Sequence, residues 1–138
     1  MTFTIVPTVL ANSTDDFHRR LSRLLPVADE LQVDIMDGKF VPSQSIAVHH
    51  IPDLHDWPTK RFEAHLMVYN PGAYIQPLAR RGFSRVIFHI EAVSDTELRH
   101  LLVLCEKHKV RPVLAINPET PVACLLPYAE FHLHSRWL

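Results

Sequence analysis

Residues 31–42 read Leu-Gln-Val-Asp-Ile-Met-Asp-Gly-Lys-Phe-Val-Pro. Apolar and polar residues alternate over the first six positions, which predicts a β-strand with two different faces. One face is aliphatic and suits a core beneath helices, whereas the other carries Gln32, Asp34 and Met36. A carboxylate in mid-strand needs a bound or paired partner, because burying an isolated charge is unfavourable. The Asp-Gly pair then predicts a turn, so Asp34 lies near the carboxyl end of a strand, where α/β folds place their sites. A carboxylate that only caps its own loop fits this position as well.

The composition is that of one globular domain. The chain has 138 residues, 47% of them hydrophobic and 21% charged, with a net charge of −1. This balance favours neither nucleic acid nor an anionic membrane as a partner, and no apolar run is long enough to span a bilayer. The first residues do not resemble a signal peptide, and Cys105 and Cys124 are expected to be reduced and buried in helices. We therefore expect a cytoplasmic protein.

Strand-like and helix-like segments alternate along the whole chain. Pro77 is awkward inside its predicted helix, because proline removes a backbone hydrogen bond. The alternation predicts an α/β fold with a parallel sheet, in one domain covering residues 1–138. It leaves open a doubly wound sheet or part of a (β/α)8 barrel. Strands are expected at 3–6, 31–36, 61–68, 84–91 and 111–116, with a last strand starting at 130–134. Helices are expected at 14–25, 70–82, 95–108 and 120–128, with a short helix or irregular segment at 46–54. Ser13, Asn70 and either Ser94 or Asp95 are expected to cap the first three of these helices.

The side-chain pattern favours the barrel over the doubly wound sheet. Polar residues recur on one face near the carboxyl ends of successive strands, whereas both faces of a doubly wound sheet are expected to be uniformly apolar. In a barrel that face points to the interior, at the mouth where reactions occur. The residues concerned are Thr8, Asp34, His65, His89, Glu91 and Asn117.

The neighbouring strands that carry Asp34 and His65 place a carboxylate and an imidazole on one face, which is the beginning of a divalent metal site. A carboxylate beside a Lewis acid can remove a proton from a carbon next to a carbonyl. A structural Asp–His hydrogen bond in a core is the alternative, and it stays open here. Met36 and Met67 share the same face, where gap-filling in a core is their default role.

Five segments together resemble the ribulose-phosphate 3-epimerase family, in the order and at the spacing of that family. The resemblance implies a (β/α)8 barrel that interconverts D-ribulose 5-phosphate and D-xylulose 5-phosphate, an isomerisation of the pentose phosphate pathway in carbohydrate metabolism. It also implies a divalent metal cation, Zn, Fe, Mn or Co, that assists proton transfer at carbon 3. The segments are Pro-Thr-Val-Leu (7–10), Val-Asp-Ile-Met-Asp-Gly-Lys-Phe-Val-Pro (33–42), Ala-His-Leu-Met-Val (64–68), Phe-His-Ile-Glu-Ala (88–92) and Leu-Ala-Ile-Asn-Pro-Glu-Thr-Pro (114–121).

The resemblance also implies roles for individual residues. Asp34 takes the position of an acid/base that is also a metal ligand, and His65 that of a second ligand beside the substrate. Met36 and Met67 form the apolar floor of the substrate site. Thr8 stands where the family usually has a serine that contacts substrate, and its hydroxyl group is retained.

Two departures from the family pattern weaken the implied metal site. Gln32 replaces a histidine ligand, and an amide is a poorer ligand than imidazole for Zn²⁺ or Fe²⁺, although it can hydrogen-bond a substrate hydroxyl. The family also has a second catalytic aspartate, which is a further metal ligand, and phosphate-binding loops. Both lie further along the family's sequence than the part that corresponds to residues 1–138. We therefore expect a chain truncated after about five and a half of eight βα units, with low activity. His132 and His134 are either a metal pair or, as we expect, the frayed end of a strand.

Two other interpretations remain at this point. An incomplete barrel has open sheet edges, which invite pairing, so the chain could be a non-catalytic half-barrel that binds a partner or forms a homo-oligomer. Another metal-dependent sugar-phosphate enzyme on the same fold is the third option, and the motifs around Asp34 and His65 argue against it.

Overall fold

The computed structural model describes residues 3–129 and 131. Within these residues five strands alternate with three α-helices, as the alternation of strand-like and helix-like segments in the sequence predicts. Short 3₁₀ turns cover Val48–His50, Leu54–Asp56, Ile90–Ala92 and Val122–Tyr128. The strands are β1 (Thr8–Val9), β2 (Glu30–Met36), β3 (Arg61–Met67), β4 (Arg85–His89) and β5 (Arg111–Ala115), and the helices are α1 (Thr14–Leu24), α2 (Gly72–Arg81) and α3 (Asp95–Lys107).

The sheet has the strand order β1-β2-β3-β4-β5, and every neighbouring pair is parallel. Each strand therefore lies beside the strand that precedes it in the chain. A doubly wound sheet reverses its strand order at a switch point, whereas a (β/α)8 barrel does not. The predicted α/β fold, part of a TIM-type barrel, is confirmed.

The core lies between the helices and the aliphatic face of the sheet. Burial alternates along β2, where Leu31, Val33 and Ile35 are at most 2% exposed and the residues between them are only partly buried. Phe17 of α1 and Ile75 of α2 are also almost fully buried in this core. The alternation predicted for β2 is confirmed, and it leaves the face that carries Asp34 partly open.

The sequence signals at the helix ends have mixed outcomes. Ser13 caps α1 by accepting a hydrogen bond from Asp16 N, and Ser94 forms a capping box with Glu97 at the start of α3. Ser13 was predicted as a cap, and Ser94 was one of the two residues predicted to cap α3. The expected cap of α2 by Asn70 is wrong, because Pro71 occupies the cap position with helical backbone and without a side-chain hydrogen bond.

Several boundaries differ from the sequence expectations. The first strand is residues 8–9 rather than 3–6, and the segment 46–54 contains 3₁₀ turns instead of a helix. Glu91 follows the end of β4 in a 3₁₀ turn, and Cys124 is exposed rather than buried. Of the strand expected at 130–134, only Phe131 is described, and its backbone is helical. His132 and His134 lie outside the described residues.

Among the helices of the described residues, none combines the length and the apolar character that a bilayer crossing requires.

Candidate active site

Asp34 and His65 lie next to each other on adjacent strands. They are partners in the register between β2 and β3, so their side chains leave the sheet on the same face. Asp34 Oδ1 and His65 Nδ1 are 3.4 Å apart, and the two side chains are 15% and 22% exposed. This separation is longer than that of a charge-assisted N–H···O hydrogen bond, about 2.7–2.9 Å. The structure therefore brings the two residues together without closing the Asp–His hydrogen bond that was the alternative.

Gln32 lies on the same face, two residues before Asp34. Its Nε2 donates a 2.8 Å hydrogen bond to Asp34 Oδ1. The amide nitrogen, rather than the oxygen, therefore faces the carboxylate. In this orientation Gln32 supports Asp34 and does not present an oxygen ligand beside it. On its other side Gln32 pairs in register with Thr8 of β1.

His89 and Glu91 extend this polar group on the side away from Asp34. His65 Nε2 and His89 Nε2 are 2.9 Å apart, and the two rings stack with their centroids 5.1 Å apart. His89 is 9% exposed, and burial is the main cause that lowers its pKa. The neighbouring His65 lowers it further, whereas Glu91 and Asn117 act in the opposite direction. Sequence reasoning placed both residues on the polar face but gave them no role.

Glu91 connects β4 to the loop that follows β5. Its Oε1 accepts hydrogen bonds from the backbone N–H of Asn117, at 2.6 Å, and from the hydroxyl of Thr120. Burial raises the pKa of Glu91, but the hydrogen bonds from Thr120 and Asn117 outweigh it, and the net pKa is lowered. The carboxylate of Glu91 is therefore held in its ionised form.

Asp37 fixes the loop that follows β2. Its Oδ1 accepts 2.8 Å hydrogen bonds from the backbone N–H groups of Lys39 and Phe40, while Oδ2 accepts one of 3.0 Å from Tyr69 N. Gly38 between them has φ +73°, a conformation that favours glycine. These amides lower the pKa of Asp37, although burial acts to raise it. The loop beside Asp34 is thus tied to the end of β3.

Met36 and Met67 are also partners in the register between β2 and β3, and each is partly buried. They lie two residues closer to the carboxyl ends of the strands than Asp34 and His65 do. Thr8, on the edge strand, is exposed. The structure thus places both methionines on the face that carries Asp34, and their roles toward a substrate remain predictions.

The donor atoms fit part of a metal site. Two ligands that are each about 2.1 Å from a tetrahedral ion lie about 3.4 Å from each other. The distance from Asp34 Oδ1 to His65 Nδ1 is 3.4 Å. No group of three or more His, Cys, Asp or Glu side chains that could hold a metal occurs within residues 3–129 and 131. Asp34 and His65 therefore fit two adjacent coordination positions, and further ligands would come from outside this group.

Residues 4–131 match the model of the ribulose-phosphate 3 epimerase family. The chain is 35% identical over 127 residues to the ribulose-phosphate 3-epimerase, cytoplasmic isoform, of Oryza sativa subsp. japonica, an alignment that covers 91% of this chain and 55% of the rice protein. It is 33% identical over 132 residues to the ribulose-phosphate 3-epimerase of Schizosaccharomyces pombe, which covers 91% of this chain and 56% of the yeast protein. The chain thus spans about half the length of the curated relatives it matches.

Proposed function

The chain belongs to the ribulose-phosphate 3-epimerase family, and we propose that it contributes the proton-transfer site of an isomerase that interconverts D-ribulose 5-phosphate and D-xylulose 5-phosphate. The observation that carries this proposal is the approach of Asp34 Oδ1 to His65 Nδ1, at 3.4 Å, on the partly open face of the sheet. We further propose that residues 1–138 are one domain, the N-terminal portion of a (β/α)8 barrel.

Asp34 is the base in this proposal. It removes the proton from carbon 3 of the sugar phosphate and returns a proton to that carbon. Asp34 and His65 would hold a divalent cation, Zn, Fe, Mn or Co, which when bound stabilises the negative charge that develops on the substrate oxygens. Gln32 donates its amide N–H to Asp34 Oδ1, and this hydrogen bond restricts the orientation of the carboxylate.

Other residues on this face would bind the sugar. Met36 and Met67 provide an apolar surface next to Asp34, which excludes water from the carbon that loses its proton. Thr8 is exposed and pairs in register with Gln32, and its hydroxyl can hydrogen-bond a substrate hydroxyl or phosphate oxygen. His65 touches both the cation and the substrate in this arrangement.

Isotope exchange tests the step that Asp34 performs. Ribulose 5-phosphate is incubated with the chain and Co²⁺ in D2O, and the loss of the proton signal at carbon 3 is followed by NMR. We expect Asp34→Asn to reduce the protein-dependent exchange about 10²-fold or more, since the amide cannot accept the proton. Asp15→Asn, at an exposed position on α1, is the control and should exchange like the unaltered chain. Equal exchange rates in Asp34→Asn and the control would remove Asp34 from the mechanism.

The same samples compare exchange with epimerisation. According to the resemblance, the acid on the opposite side of carbon 3 belongs to a segment of the family's sequence that this chain does not match. Exchange through Asp34 alone returns the proton to the side it left, so we expect deuterium incorporation to exceed formation of xylulose 5-phosphate. Formation of xylulose 5-phosphate by this chain at typical enzyme rates of about 1–10³ s⁻¹ would contradict the proposal that inversion needs a second acid.

Self-association is the second candidate function, and the open edge at β5 favours it. Among the described residues β5 pairs with β4 alone, and the following 3₁₀ turn exposes 71% of Val122 and 70% of Leu126. Apolar side chains beside an unpaired strand edge favour association with another chain. Light scattering coupled to size exclusion would detect a homo-oligomer, and a strict monomer over a wide concentration range would rule it out.

We also propose a cytoplasmic location, which the name of the rice relative supports. Cell fractionation would test it, and recovery of the protein in an organelle fraction would contradict it.

A further inference from the structure

We propose that Glu91 and His89 act as positioning residues that fix the ring tautomer of His65, so that the lone pair of His65 Nδ1 faces Asp34. The juxtaposition behind this inference is a row of four side chains, Asp34, His65, His89 and Glu91, that runs across the open face of the sheet. The claim that this tautomer leaves His65 Nδ1 free to bind a cation rests on the proposed function. The tautomer itself can be measured without metal or substrate.

The ring of His65 has a neighbour at each nitrogen. Nδ1 is 3.4 Å from Asp34 Oδ1, and Nε2 is 2.9 Å from His89 Nε2. A neutral imidazole carries one hydrogen, on one nitrogen or the other. The contact between the two Nε2 atoms is a hydrogen bond, so one of these nitrogens donates and the other accepts. The tautomer of His65 therefore depends on the tautomer of His89.

The far side of His89 determines which ring donates. His89 Nδ1 is buried and makes no hydrogen bond within the described part of the chain. The carboxylate oxygen Glu91 Oε2 lies 3.6 Å from it, and the Asn117 side chain also interacts with the His89 ring. A nitrogen that bears hydrogen is attracted by a carboxylate, whereas a nitrogen lone pair is repelled by it. His89 therefore carries its hydrogen on Nδ1, and its Nε2 accepts.

The hydrogen between the rings then belongs to His65 Nε2. Nδ1 of His65 is left with a lone pair, which points toward the carboxylate of Asp34. Two electron-rich atoms at 3.4 Å repel each other, but both side chains are partly exposed, so the hydrogens of a water molecule can lie between them in the metal-free chain and a positive charge can replace that water. A cation supplies that charge, and metal-binding histidines in general donate their second ring N–H to a hydrogen-bond acceptor, which here is His89 Nε2.

The opposite tautomer is less favourable in this environment. His65 Nδ1–H would point to Asp34, and His89 Nε2–H would donate to His65. The lone pair of His89 Nδ1, a buried atom, would then face the Glu91 carboxylate at 3.6 Å without a donor in between. In the proposed tautomer the lone pair of His65 Nδ1 faces Asp34 on the partly open side of the sheet instead, where water can donate to both atoms. The opposite tautomer would turn the site into an Asp–His contact with no free ligand atom on the ring.

The two carboxylate oxygens of Glu91 have different partners. Oε1 accepts the hydrogen bonds from Asn117 N and Thr120 Oγ1, while Oε2 faces His89. Glu91→Gln can keep the amide oxygen at the Oε1 position, where both donors need an acceptor. The NH2 group then replaces Oε2 and presents an N–H, in place of a carboxylate oxygen, to His89 Nδ1. This single change should exchange the donor and acceptor roles of the ring nitrogens along the row, so that His65 carries its hydrogen on Nδ1.

NMR of the metal-free chain with ¹⁵N-labelled histidine tests the proposal. Two-bond ¹H–¹⁵N correlations, recorded at about pH 8, where unperturbed histidine is neutral, identify the nitrogen that carries hydrogen. Signals of His65 are assigned as those missing in His65→Gln. We expect His65 to be protonated on Nε2 in the unaltered chain and on Nδ1 in Glu91→Gln. Glu119→Gln, at an exposed position of the loop that Glu91 holds, is the matched control and should leave the tautomer unchanged.

Calorimetric titration with Co²⁺ is the second readout. We expect Glu91→Gln to weaken binding about 10–100-fold, as for other partners of metal-binding histidines, and Glu119→Gln to have no effect. An Nδ1–H tautomer of His65 in the unaltered chain would overturn the proposal, whatever the result for Glu91→Gln. So would a tautomer that Glu91→Gln does not change. A tautomer that switches as expected, in a chain that binds no Co²⁺, would support the positioning role and contradict the metal part of the proposed function.

Discussion

Asp34 Oδ1 interacts with two neighbours of different chemical character. Gln32 Nε2 donates to it at 2.8 Å, and the imidazole of His65 lies 3.4 Å away. The amide stabilises the carboxylate by one hydrogen bond but supplies no third ligand. At position 32 an imidazole would supply that ligand, because its nitrogen binds divalent transition metals better than a neutral amide does.

We therefore expect Gln32→His to tighten Co²⁺ binding about tenfold or more. Calorimetric titration measures the dissociation constants. Gln76→His, at an exposed position of α2, is the control for the addition of a histidine elsewhere on the chain. If Gln32→His binds Co²⁺ no better than Gln76→His does, position 32 is not beside the cation.

The approach of Asp34 to His65 could be predicted from the sequence, because it follows from two simple regularities. Alternation places each residue on the polar face of its strand, and short connections make the two strands neighbours. The contact between His65 and His89 could not be predicted in this way. It depends on the side-chain torsions of two rings on neighbouring strands, which no periodicity specifies. The orientation of the Gln32 amide is of the same kind, since its oxygen and nitrogen are equivalent in a sequence pattern.

The end of α2 depends on glycine. Gly82 has φ +98°, and a Cβ placed there would be 3.1 Å from His55 N and 3.2 Å from Leu54 Cβ. Gly72, at the start of the same helix, has no positive φ, and its added Cβ would meet the flexible end of Leu101 at 3.3 Å. The backbone conformation therefore favours glycine at position 82, after the end of α2, but not at position 72.

Gly82→Ala should lower the free energy of unfolding by about 1–3 kcal/mol, through an unfavourable φ and contact with the Leu54–His55 backbone. Gly72→Ala should change it by less than about 1 kcal/mol, because alanine favours the helix and Leu101 can move. Urea unfolding of both variants measures the difference. Equal losses would show that the left-handed end of α2 is not what requires glycine at 82.

Local signals predicted helices better than edge strands. The caps by Ser13 and Ser94 were predicted because each needs only residues within one turn. Strand β1 was expected at 3–6, where β-branched and aromatic residues are frequent, yet it forms at 8–9. There it pairs with Gln32 and Val33 of β2, and pairing with a distant strand cannot be read from local propensity.

In the chain as a whole, carboxylates with lowered pKa values occur from α1 to α3. Hydrogen bonds from neighbouring N–H or O–H groups stabilise the ionised form of each one. For Asp37 and Glu91 these bonds outweigh burial, which alone would raise the pKa. The groups are Asp16, Asp37, Asp53, Glu91, Asp95 and Glu97.

Acid should therefore destabilise the fold, in a defined range of pH. The folded pKa of each group is below its unfolded value, about 3.9 for Asp and 4.3 for Glu. As the pH falls, the unfolded chain takes up protons first, so the free energy of unfolding decreases. The contribution is complete above about pH 5 and is lost as the pH falls through 4 toward the lowered folded values. Urea unfolding at a series of pH values from 5 to 3 should show a continuous loss of stability.

Asp37→Asn separates one of these contributions from the rest. The amide can still accept from Lys39 and Phe40 through its oxygen, but its NH2 group would face Tyr69 N, which donates to Oδ2 in the unaltered chain. We expect this variant to be less stable at pH 5 and to lose less stability between pH 5 and 3, because one depressed pKa has been removed. Asp15→Asn, on the exposed side of α1, should keep the full pH dependence. If the free energy of unfolding falls as much between pH 5 and 3 in Asp37→Asn as in that control, the carboxylate of Asp37 does not contribute to the acid sensitivity. This carboxylate ties the end of β3 to the loop after β2.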